Sequence, residues 1–217
     1  MARIIRKSAL GTLRGKVGDA IVTKWKGIDV VKDVPTKKSR KQKEKLSEQP
    51  QNLRLALVSS FLKNFNACLA IGFWQKTGRL PAYQRAVQYN LKHAVIGEYP
   101  NYELEFSKLT WAMGKREMAW GCTLSLIAAQ QFRVEWEIPP TSRVNVIGAD
   151  IGYILTHISR AEKSDDIQVH QVRRNDLLLD VKRHRSFQGG TLRAWIFFSS
   201  ADGKISSRSR YLGSLVL

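Results

Sequence analysis

The sequence predicts an α+β protein in three parts: an N-terminal β-hairpin with a basic arm, two antiparallel helices, and a C-terminal antiparallel β-sandwich of the immunoglobulin or fibronectin kind. Three observations predict it. From Ala119 to Leu217, β-rich segments of strand length alternate with turn signals at Pro139-Pro140, Asp165-Asp166, Gly189-Gly190 and Asp202-Gly203, the pattern of a sandwich. Between Pro50 and Ile96 the apolar residues fall three and four apart, which is the helical period. Ahead of both, two β-branched runs flank Lys26-Gly27. The expected division is a basic region with hairpin and helices over residues 1–100 and a sandwich over 101–217.

The hairpin is predicted over residues 17–25 and 28–34, with Lys26-Gly27 as its turn. Gly11, Gly15 and Gly18 are expected at turns and bulges. Gly15-Lys16 invites comparison with a phosphate loop, which needs four residues between its glycines and Ser or Thr after the lysine. Here Gly11 and Gly15 enclose three residues and Val17 follows, so no nucleotide site is predicted. Two strands alone are marginal in water. The hairpin, with Gly15, Lys16, Gly18, Trp25, Lys26 and Gly27 as its signature, is therefore expected to join another sheet, the helices or another copy of the chain.

Charge is the most unusual property. The chain has 36 Lys and Arg against 18 Asp and Glu, and residues 1–50 alone hold 14 basic and 5 acidic residues, +9 of a formal +18. This points to a polyanionic partner: nucleic acid, an acidic protein surface or anionic lipid. The densest stretch holds Lys37, Lys38, Arg40, Lys41, Lys43 and Lys45, with Glu44 its one acid. It reads either as a solvated linker or as an arm contacting phosphates, with Arg173, Arg174, Arg183 and Arg185 as further contacts. Without interleaved aromatic residues, base stacking is not indicated there.

After Pro50, Leu55, Val58, Leu62, Phe65, Leu69 and Gly72 predict one amphipathic helix. A second is predicted over residues 81–96, with Pro81 in its first turn, Tyr83, Val87, Leu91 and Ala94 or Val95 facing inward, and Gly97 as its stop. Phe61, Phe65, Phe73, Trp74, Tyr83 and Tyr89 are assigned to the core between them. A turn at Glu98-Tyr99-Pro100-Asn101 leads to a strand over residues 102–112, with Tyr102, Leu104 and Phe106 on one face. Sandwich strands are predicted at residues 123–128, 132–138, 144–147 running on to 151–158, 167–172, 177–182, 192–199 and 204–212. In 192–199 both parities are apolar, so a central strand is expected, and Trp136 fits a core tryptophan.

Chemistry-bearing motifs are sparse. His93, His157, His170 and His184 are dispersed without ligand spacing, Cys68 and Cys122 read as free thiols, and Glu103 with Glu105 shares a strand face that reads as solvated. No nucleophile elbow, HExxH, dinucleotide fingerprint or zinc-spaced cysteine set occurs. No cofactor and no metal site is predicted, and with neither an 18-residue apolar run nor a secretory signal, the chain reads as cytoplasmic without a membrane span.

Gly15-Lys-Val-Gly18, Trp25-Lys-Gly27, Ile71-Gly72-Phe73, Asn90-Leu-Lys92, Tyr99-Pro100, Ser200-Ala-Asp-Gly-Lys204 and Tyr211-Leu-Gly213 together resemble a bacterial domain family of unknown function. The resemblance spans nearly the whole chain, supports the architecture and implies no chemistry. The lysine run at 37–45 departs from it. The functional expectation is a non-enzymatic structural or adaptor protein that joins copies of itself or another protein in an assembly. The alternatives are a nucleic-acid-binding protein and an enzyme with an unrecognised site.

Overall fold

A computed structural model describes residues 2–3, 14–25, 28–36, 49–74, 80–128, 131–160, 165–182 and 190–216. Contacts divide the chain into two compact units, Met1–Glu48 and Gln49–Leu217. In the first unit, β1 (Ala2–Arg3), β2 (Gly15–Val17), β3 (Ala20–Trp25) and β4 (Ile28–Asp33) form an antiparallel sheet in the order β1-β4-β3-β2. The predicted hairpin is thus present as β3 and β4, with neighbours on both sides, but its first strand starts at Ala20 and not at residue 17, because the chain turns at Gly18-Asp19 and Val17 belongs to β2. Lys26 and Gly27 lie outside the described residues.

In the second unit the elements are α1 (Pro50–Lys63), α2 (Asn66–Gly72), α3 (Ala82–His93), β5 (Val95–Glu98), β6 (Asn101–Leu104), β7 (Trp120–Ala128), β8 (Gln131–Glu137), a single turn α4 (Val144–Ile147), β9 (Ile151–Arg160), β10 (Asp166–Arg173), β11 (Leu178–Lys182), β12 (Gly190–Ser199) and β13 (Arg210–Val216). A four-stranded sheet, β10-β9-β12-β13, faces a three-stranded sheet, β11-β8-β7. All pairings within them are antiparallel, and the arrangement is an immunoglobulin-like sandwich. The chain is α+β, as its sequence predicts.

The alternation along β12 explains why a third layer exists. Leu192, Ile196 and Phe198 point into the sandwich with Ile154 and Ile158 of β9, against Phe132, Val134 and Trp136 of β8. The opposite parity, Trp195 and Phe197 with Tyr153 and Leu155, points away from it and would meet water in a simple sandwich. The helices cover that face. Val58, Leu62, Cys68 and Leu69 of the first two helices, Phe65 between them, Ala86 and Val87 of α3, and Trp111 form one core cluster with those four side chains. The helical pair that the sequence grouped with residues 1–100 therefore shares its core with the sandwich. Trp136 is buried as expected, and its Nε1–H donates to the Arg174 carbonyl at 2.8 Å.

Several local expectations need correction. The apolar stripe from Leu55 to Gly72 is not one helix, because the chain bends by 93° between α1 and α2. Asn64 and Asn66 flank the break, and asparagine competes for helical backbone bonds. The stripe reads through in sequence because each helix presents its own apolar side to the same sheet. The helix over 81–96 stops at His93: the Ala94 N–H closes on the Asn90 carbonyl at 2.8 Å, and Val95 and Ile96 enter β5 instead. Residues 102–112 are not one strand either. β6 ends at Leu104, a 3-10 turn follows over Phe106–Lys108, and Trp111 then turns inward, fully buried.

The β-branched run 144–147 forms one helical turn, not a strand. Its Val144 and Val146 side chains are exposed while Ile147 is buried. The turn lies on the connection between the two sheets, where change of direction outweighs β-propensity. The last strand begins at Arg210, not Lys204, and runs to Val216. Before it, serine hydroxyls replace ladder bonds: Ser207 Oγ accepts from the Phe198 N–H, Ser209 Oγ accepts from the Trp111 N–H, and Ser206 Oγ donates to the Gly72 carbonyl, each at 2.9 Å. A Cβ on Gly72 would overlap the Trp111 carbonyl oxygen, so this position demands glycine for want of space.

Candidate functional site

One tight reversal of the N-terminal sheet lies among the described residues. Gly18, at φ 59°, is the first central residue of the two-residue loop joining Val17 to Ala20, the position where primed hairpin turns require a glycine. The Val34 N–H returns to the Asp19 carbonyl at 2.9 Å and ties this turn to the end of β4. β2 is exposed along its whole length, and Val17 is 62% accessible. Ile21, Val22 and Val31 are only half-covered, and Val30 is the one buried side chain among the described residues of the unit.

Of the residues singled out in the sequence, Gly15, Lys16, Gly18 and Trp25 are on this sheet. Lys37, Lys38, Arg40, Lys41, Lys43 and Lys45, like Arg183, Arg185 and His184, lie outside the described residues. Arg174 is not a phosphate contact. Its guanidinium is fully buried, donates to the Glu117 and Met118 carbonyls at 3.0 Å each, lies 3.4 Å from Asp150 Oδ2 and packs over the Phe198 ring at 4.4 Å. Arg116 grips the same carboxylate from the other side, with contacts of 2.6 and 2.9 Å. Burial pulls the Arg174 guanidinium down, and the Asp150 hydrogen bonds raise that of Arg116. Both remain cations.

Several other ionisable groups are likewise engaged. His157 is buried between the Phe61 and Phe106 rings, and its Nε2–H reaches Asp165 Oδ2 at 2.8 Å. Burial pulls its pKa below the ordinary histidine value, keeping the ring neutral at pH 7. Asp165 and Glu103 line an open cleft of about 640 Å³ with Phe61, Tyr102 and Phe106. Ser60, whose hydroxyl lines that cleft, donates to the Leu57 carbonyl of its own helix at 3.0 Å. The expected common face of Glu103 and Glu105 does not form: Glu103 pairs across to Ile96, whereas Glu105 lies past the strand end with Lys108 at 2.7 Å. That lysine holds the Glu105 carboxyl below its ordinary value.

Cys68 and Cys122 are free, and burial pushes both thiols up to about 11, so neither is a thiolate at neutral pH. Among the described residues no group of three or more His, Cys, Asp or Glu is placed to hold a metal ion. Among the described residues no single helix is long and apolar enough to cross a membrane.

A family of unknown function, designated DUF6266, matches residues 12–213. The chain belongs to that family. The matched span takes in both units, so the family's signature joins the small sheet to the sandwich with its helical cover. Two of the motifs noted in the sequence have structural reasons: Gly72 admits no side chain, and Asn90 is buried, exchanging hydrogen bonds with Thr110 at 2.8 and 2.9 Å. No curated protein matches in sequence. Among solved structures, the fibronectin type III domain of human collagen alpha-1(XX) chain is similar, at 12% identity and a TM-score of 0.33, covering 48% of this chain and 88% of that one.

Proposed function

We propose that the protein is a non-enzymatic structural or adaptor protein that joins copies of itself, or docks onto a larger particle, through its N-terminal sheet. The observation that carries this reading is the sheet's incomplete cover, with Val30 as its one buried side chain among the described residues. A small sheet without a hydrophobic face buried elsewhere is marginal in water. β2 also presents an exposed edge, the usual template for strand addition. A cytoplasmic setting belongs to the same reading.

Light scattering coupled to size exclusion, on nuclease-treated full-length protein over a range of concentrations, tests it. A discrete oligomer is expected, and Val17→Lys at the exposed edge should weaken association at least about tenfold without lowering the melting temperature, because charged edge residues block strand pairing. A monomer at every concentration, with no larger complex, would overturn the reading. The second reading, a polyanion-binding protein, is favoured by the six basic residues within positions 37–45. A steep salt dependence of binding, lost when those six are neutralised, would support it.

A further inference from the structure

One side of α3 carries Arg85, Gln88, Tyr89, Lys92 and His93, at helical positions i, i+3, i+4, i+7 and i+8, with Tyr89 half-buried against the core and Gln88, Lys92 and His93 exposed. Opposite this stripe the chain leaving α2 presents Trp74, and an open cleft of about 400 Å³ lies between them. Trp74 is 42% accessible, where the sequence had placed it in the core. The Tyr89 and His93 rings lie against each other beside it, with centroids 4.4 Å apart and planes tilted by 35°. Among the described residues no carboxylate lines the cleft.

Among the described residues neither the Arg85 nor the Lys92 side chain has a hydrogen bond or an ion pair, and the Arg85 Nε is shut off from water with no acceptor. Burial lowers the Arg85 guanidinium with no compensating neighbour, so an incoming anion would relieve a desolvation cost. Seven residues along a helix separate the two cations by roughly 10 Å along the axis, room for separate phosphates.

We infer that this cleft binds a segment of single-stranded nucleic acid. Its bases stack on Trp74 and on the Tyr89–His93 surface, its phosphates meet Arg85 and Lys92, and the free Gln88 amide meets a base edge. Exposed aromatic rings beside unpaired cations suit a strand whose base faces are open. An acidic peptide would use the cations and leave the rings idle, and a duplex offers no free base face. The inference stands apart from the assembly reading, because the cleft lies wholly within Gln49–Leu217.

The test uses the full chain with the six basic residues from Lys37 to Lys45 neutralised, so that the arm contributes nothing. Binding of a fluorescein-labelled oligothymidylate of about 12 nucleotides, within the usual site sizes, is followed by anisotropy and tryptophan quenching. Trp74→Ala is expected to weaken binding about tenfold or more through lost stacking. The Arg85→Ala, Lys92→Ala double variant is expected to reduce the slope of log affinity against log salt by about 1.4, at about 0.7 per single-strand phosphate. Each variant's thermal melt confirms that it is folded, and the salt slope is read independently of Trp74. The inference is overturned if the oligonucleotide does not bind, if Trp74→Ala binds as well as the parent, or if polyglutamate of equal charge competes as effectively as unlabelled strand.

Discussion

Replacing Asp150 with alanine is expected to cost about 3–5 kcal/mol of folding stability, a fall in melting temperature on the order of 10 °C. The carboxylate is buried and sits between two guanidiniums, Arg116 with contacts of 2.6 and 2.9 Å and Arg174 at 3.4 Å. Without it Arg174 keeps two backbone carbonyls, the Phe198 ring and the partly exposed Glu117 carboxylate at 3.6 Å, but its charge has lost its closest anion, the buried one. An arginine cannot escape by releasing its proton. Arg174→Met should cost less, since it removes the buried charge and leaves Asp150 with Arg116. Urea denaturation of both variants measures the order. Asp150→Ala within about 1 kcal/mol of the parent would place the network in the range of solvent-screened surface pairs and refute the argument.

Trp195→Ala is the second large effect, expected at about 3–5 kcal/mol from lost burial and the cavity left behind. Trp195 is fully buried on β12 against Phe106, Trp111 and Tyr211, with its Nε1–H donating to the Phe106 carbonyl at 3.1 Å. Trp111 is equally buried, yet its Nε1 has no partner. Trp195→Phe should therefore be more damaging than Trp111→Phe, because only the first strands a hydrogen-bond acceptor. Thermal denaturation of the two phenylalanine variants checks this, and equal losses would show that the indole bond contributes nothing beyond shape.

Much of this fold is legible in the residues, and the reasons differ by element. The doubly apolar run at 192–199 announced a central strand because period-two alternation survives burial on both sides. It did not announce that helices supply the second cover, since Trp195 and Phe197 would look the same under another sheet. The run at 144–147 misleads because four residues carry too little periodicity to oppose β-propensity. Ser206, Ser207 and Ser209 read as strand although their hydroxyls take over the backbone's partners.

Sites were less legible. Arg174 looks like a surface cation until Asp150, 24 residues earlier in sequence, is found beside it. Trp74 reads as core because its exposure depends on where α2 ends, and the stripe from Arg85 to His93 looks like an ordinary solvated helix face until Trp74 is seen opposite.

One sheet in this protein serves two interiors at once. Helices and sandwich are consequently not interchangeable modules, because a bulkier side chain at Leu62 or Phe65 must be answered by Trp195 or Leu155 on the strands. Swapping in the helical segment of a distant relative without its matching strands would leave rings colliding or voids open. Substitutions on the two layers should be inherited in pairs.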